Sequence, residues 1–124
     1  MLKKILIVLS LLISPIFTYA ASCFELNLRA YQKEQEINSR WQLVAQSKHR
    51  IYFHSAPKKL CKMDDTFVIQ NDHVTAYSVY IDQAKQKWVY VVFNDPNQHI
   101  EDDLVEGWVK LKDFKSLQKT AITD

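Results

Sequence analysis

"VEGWVKLKDF" (105–114) holds Gly107, the one glycine in 124 residues, directly before Trp108. A chain so poor in glycine is expected to keep one where the backbone must bend sharply or bulge. Upstream lie "RIYFHSAP" (50–57), "TFVIQ" (66–70), "HVTAYSVYI" (73–81) and "KWVYVVF" (87–93). Each is short and rich in β-branched and aromatic residues, and the first alternates apolar and polar positions, so each reads as a strand. With "GWVKL" (107–111) the set comes to five. Five short strands in one small domain predict a small five-stranded barrel, because closure removes exposed edges. Gly107 then supplies a sharp bend or bulge in the last strand. Trp108 is expected to turn inward and cover the barrel's end.

The connections support this reading. Pro57 ends the first strand because it has no N–H to donate. "KKLCKMDD" (58–65) reads as a looping connection, and Asn71-Asp72 as a turn with Asn71 at positive φ. "DQAKQ" (82–86) is a hairpin connection, "NDPNQHIEDDLVE" (94–106) a long acidic loop, and "KDFKSL" (112–117) a single helical turn. The tail 118–124 is expected to fray.

Ahead of the strands, Leu26, Ala30, Ile37, Trp41 and Val44 fall on one side at helical spacing, with no Gly or Pro between Phe24 and Ala45. A helix over 25–38 is predicted. It either continues to 45 or gives way to extended chain at Trp41. The stripe is assigned to core packing. The expected division is therefore a helical segment at 21–48 and the barrel at 49–117.

The first 20 residues are read as a secretory signal peptide. Lys3 and Lys4 precede an apolar run, Ile5–Ile13, which is too short to span a bilayer and is followed by Pro15. Thr18-Tyr19-Ala20 places small residues where signal peptidase cuts. Export to the periplasm or beyond is expected, with no transmembrane segment in the remaining 104 of the 124 residues. Removing the two lysines takes 16 basic residues to 14, equal to the 14 acidic ones. Neutrality gives no reason to expect nucleic acid as a partner.

Cys23 and Cys61 are the only cysteines. An even count in an exported chain predicts a disulfide. It closes a loop of roughly 39 residues, worth about 4 kcal/mol. Two rivals stay open. "AASC" (20–23) resembles a lipobox, which would put lipid on Cys23. Cys61 could instead act as a thiol nucleophile, given a neighbouring base or cation.

In order, "RIYFHSAP", "TFVIQND", "VTAYSVY", "KWVYVVF" and "GWVKLKDF" resemble the bacterial SH3-like domains of exported proteins, over Arg50 to Phe114. The chain departs from that pattern at Asn71, where relatives commonly carry glycine, and in its long acidic loop. The resemblance implies a non-catalytic domain that holds cell-wall peptides or protein partners. No attached enzyme domain is expected. A stand-alone exported barrel fits an immunity protein that neutralises a wall-active enzyme or toxin. Peptidoglycan-peptide binding is the alternative, and a thiol hydrolase using Cys61 a remote one.

Candidate binding residues are the aromatic set Tyr52, Tyr77, Tyr80, Trp88, Tyr90 and Trp108, since alternation leaves part of such a set exposed. His54 joins them because it shares a strand face with Tyr52. His49, His73 and His99 read as surface groups, and no histidine pair has metal-motif spacing. Glu101, Asp102, Asp103 and Glu106 lack the ligand spacing of a calcium loop. They read as a solvated loop, or as an acidic loop that docks a basic partner. One glycine permits no phosphate-binding loop, and no nucleophile elbow or HExxH motif is present. No cofactor or metal is expected.

Overall fold

A computed structural model describes residues 21–93 and 104–117. The proposed signal peptide, the tail, His99, Glu101, Asp102 and Asp103 lie outside the described residues. The elements are α1 (Cys23–Lys33), β1 (Gln35–Ala45), β2 (Ile51–His54), β3 (Lys62–Val68), β4 (His73–Ile81), β5 (Lys87–Phe93), β6 (Val105–Lys110) and β7 (Phe114–Ser116). Short 3₁₀ turns occupy Lys59–Cys61 and Leu111–Asp113.

The five-stranded barrel is corrected: the described strands form one open antiparallel sheet of seven, in the order β3-β2-β6-β5-β4-β1-β7. Three of the differences are local. Residues 35–38 continue no helix but begin β1, where Gln35 and Glu36 pair with Val79 and Ser78. Glu34 is already extended, and its carboxylate accepts the Ser78 hydroxyl at 2.9 Å. Pairing with β4 thus overrides helical spacing. Residues 62–65, read as loop, open β3. Residues 114–116, read as a helical turn, form β7 against β1.

Elsewhere the chain follows its local chemistry. Ser22 caps α1, its hydroxyl accepting from the Glu25 N–H at 3.2 Å. β4 and β5 occupy the expected spans, joined by a turn whose Asp82 carboxylate accepts the Gln86 N–H at 2.8 Å. Asn71 has φ 76°, as the turn requires.

One sheet face carries the core. Leu43, Phe53, Val68, Val74, Val89, Val109 and Phe114 meet there, one from each strand, so the sheet must curl although its outermost strands stay unpaired with each other. The opposite face carries Trp88 and Trp108, covered by Ala30 of α1. Trp108 therefore does not close a barrel end. Alternation along β6 sends Gly107 and Val109 inward and Trp108 outward beneath the helix. Between Ala76 and Ser78 a register shift leaves Tyr77 over as the extra residue and resets the alternation. Ser78 and Tyr80 then join Trp88 and Tyr90 on the helix side.

Gly107 also has a different reason from the expected one. Its φ is not positive, and the β5–β6 register runs through Val91↔Gly107 without a shift. What demands glycine is closeness: a Cβ there would stand 3.0 Å from the His54 carbonyl oxygen and 3.3 Å from Phe53 Cβ. Gly107→Ala is expected to cost about 1–3 kcal/mol, since β2 and β6 must part slightly. A fall in the urea midpoint with unchanged slope would show it.

Candidate functional site

The disulfide Cys23–Cys61 is present, with Cα atoms 5.7 Å apart across 38 positions of sequence. It pins the first turn of α1 to the loop before β3. With both sulfurs joined, Cys61 offers no thiolate, and a lipid on the Cys23 sulfur would be incompatible with the bond.

Beneath α1 the structure gathers five of the candidate residues: His54, Tyr80, Trp88, Tyr90 and Trp108. Trp108 lies edge-on to Tyr90 and Tyr80, at 5.4 and 6.2 Å between ring centroids. Its indole N–H donates to Asn27 Oδ1 at 2.7 Å, which fixes α1 to the sheet. The Trp88 indole donates to Asp82 Oδ2 at 3.0 Å. Trp88 is 2% exposed and Trp108 1%, so both are packing residues between helix and sheet, and Trp88 also borders the groove beside α1. Burial and the Glu106 carboxylate, to which it is hydrogen-bonded, push the Tyr90 phenol well above its ordinary pKa.

Tyr52 and Tyr77 stand apart from this group. Tyr52 packs against Phe67 at 5.6 Å with Lys62 Nζ 4.6 Å from its ring centre. Tyr77, at the β4 bulge, lies under Arg40 at 4.8 Å.

His54 is buried against Trp88, ring centroids 4.9 Å apart, with Nδ1 3.2 Å from the Trp108 carbonyl oxygen. Burial lowers its pKa, and Lys110 and Lys62 add to that, while the bond to Trp108 opposes it. The folded ring therefore stays neutral at a pH where the unfolded one, with its ordinary pKa of 6.5, takes a proton. Stability from this group is complete above pH 6.5 and declines as pH falls below it, by at most about 1.4 kcal/mol per pH unit. His54→Gln should flatten urea midpoints between pH 7 and 5 relative to the parent.

The sequence reading missed the outer side of α1. Phe24, Leu28 and Tyr31 follow i, i+4, i+7 spacing and face solvent, 72%, 48% and 71% exposed. Leu60, 68% exposed, sits next to the disulfide that holds this helix. The spacing was available in the sequence. The competing stripe at Leu26 and Ala30 masks it, and of that pair Ala30 alone is fully buried.

Along one flank of α1 runs a groove of about 640 Å³. Leu26, Arg29 and Lys33 line it from the helix, Pro57, Lys58 and Lys59 from the disulfide loop, and Lys110 from β6. Among the described residues no group of three His, Cys, Asp or Glu side chains is placed to hold a metal ion. Nor is any described helix long and apolar enough to cross a membrane. No protein-family profile, curated protein or solved structure matches the chain.

Proposed function

We propose that this chain is an exported, non-catalytic, SH3-like binding protein whose ligand is another protein, and that it acts by blocking a wall-active enzyme or toxin. The observation that carries the reading is the outer face of α1. A helix resting on a sheet ordinarily turns its large apolar side chains inward. Here the inward side is Asn27 and Ala30, and Phe24, Leu28 and Tyr31 are left to water. Large apolar and aromatic groups gathered at a surface favour protein recognition. The helix is held in advance by the disulfide and by Trp108–Asn27, so a partner would spend little on ordering it. The signal-peptide reading and the resemblance to exported SH3-like domains support the compartment and the non-catalytic role.

The test is capture of a partner from periplasmic extract by the parent and by Phe24→Ser/Tyr31→Ser. The double variant should fold normally and lose at least about 2 kcal/mol of affinity, roughly 30-fold. Equal capture by both would overturn the use of this face. Co-sedimentation with bare peptidoglycan sacculi that survives moderate salt would replace the protein ligand with wall peptides.

A further inference from the structure

We infer that the groove beside α1 receives a carboxylate-rich, partly apolar peptide segment of the partner. The choice of a protein as occupant rests on the proposed function. Among the described residues the groove gathers Arg29, Lys33, Lys58, Lys59 and Lys110 around one carboxylate, Asp82. That carboxylate is already engaged on both oxygens, Oδ2 by the Trp88 indole N–H and Oδ1 by the Gln86 N–H. The one ion pair among the described residues is Lys62–Asp64, at 3.7 Å, so none of the five cations is paired with a described carboxylate, and Lys110 Nζ stands 5.8 Å from the Trp88 ring centre. The chain as a whole carries a formal charge of only +2, so this is a local concentration of charge and not a basic protein.

The fold holds these like charges together against their repulsion. Lys58 and Lys59 belong to the loop that Cys61 ties to α1, and the Cys61 N–H donates to the Lys58 carbonyl at 2.9 Å. The loop is thereby kept across the groove from Arg29 and Lys33. A concave set of cations that outnumbers the carboxylates among its described lining residues is complementary to an acidic ligand.

The lining also selects the kind of anion. Leu26, Pro57, Tyr80 and Ala84 contribute apolar surface between the charges. A polyphosphate has nothing to place there. A phosphate site would also be served by several arginine forks, and the groove has one arginine. A peptide alternating carboxylates with apolar side chains satisfies both parts of the lining.

The experiment is fluorescence anisotropy of the oxidised protein with a labelled ten-residue peptide alternating glutamate and leucine. A lysine–leucine peptide and unlabelled polyphosphate serve as controls. The acidic peptide should bind at least about tenfold tighter than the basic one, and weaken about tenfold or more between 50 and 300 mM salt. Arg29→Glu/Lys58→Glu/Lys59→Glu should weaken it a further tenfold or more, and the neutral Lys58→Gln/Lys59→Gln by a smaller factor, with near-ultraviolet circular dichroism unchanged. Equal binding of the two peptides, or no loss in either charge variant, overturns the proposal. Displacement by polyphosphate as efficient as by unlabelled acidic peptide also overturns it, since the groove would then be a general polyanion patch. Phe24→Ser/Tyr31→Ser should keep peptide affinity within about twofold. Failure of the groove with partner capture intact therefore reads differently from failure of the apolar face.

Discussion

Replacing Cys23 and Cys61 together by serine is expected to lower the stability of the fold by about 4 kcal/mol. The bond closes 38 positions of sequence, which span all of α1, β1 and β2. Without it the unfolded chain recovers the freedom of that loop, and this is the larger part of the effect. The folded chain loses something too, because among the described residues α1 is otherwise held by its packing on the sheet and the Trp108–Asn27 bond. Urea denaturation of the parent and the double variant measures the difference. The variant should still capture the partner in water if it remains folded there. A variant of parental stability would show that the loop is already constrained in the unfolded chain. Loss of a hydrolytic turnover by a stable variant would overturn the non-catalytic reading.

Trp108→Ala should cost as much, about 3–5 kcal/mol. The indole is among the largest fully buried side chains and touches both tyrosine rings beneath α1. Its loss leaves a cavity between helix and sheet and deprives Asn27 of its donor. Trp108→Phe separates the two effects. It keeps most of the volume and deletes the N–H, and Asn27 is not fully buried, so the cost should fall to about 1–2 kcal/mol. Thermal or urea unfolding of the two variants side by side gives both numbers. Equal losses would mean that the hydrogen bond, and not the packing, secures the helix.

What could be read from residues alone depended on whether local pattern and tertiary pairing agreed. They agree in β4 and β5, where β-branched and aromatic runs are bounded by clear turns, and both strands have their expected limits. They agree at Asn71 and at the cysteine pair. They conflict in β1. Its register shifts between Glu36 and Trp41, which breaks the two-residue period and leaves Ile37, Trp41 and Val44 at a spacing that imitates a helix. β7 is three residues long and has no periodicity to show. Trp108 was legible as a buried residue, but not as one buried on the far face, because its cover comes from a helix more than 70 positions earlier. The groove is a matter of assembly. Lys58, Lys59, Arg29 and Lys110 are scattered in sequence and meet only through the disulfide and the sheet order.

An open sheet has two rims, and rims invite other chains to add strands and grow fibres. This one is ill suited to that. β3, at one end, carries Lys62, Asp64 and Asp65, all exposed, so an added strand would have to accommodate all three charges beside its own backbone. β7, at the other, is only three residues long and includes Lys115. The molecule can therefore leave large apolar groups bare on α1 without its rims seeding aggregates when the protein is crowded.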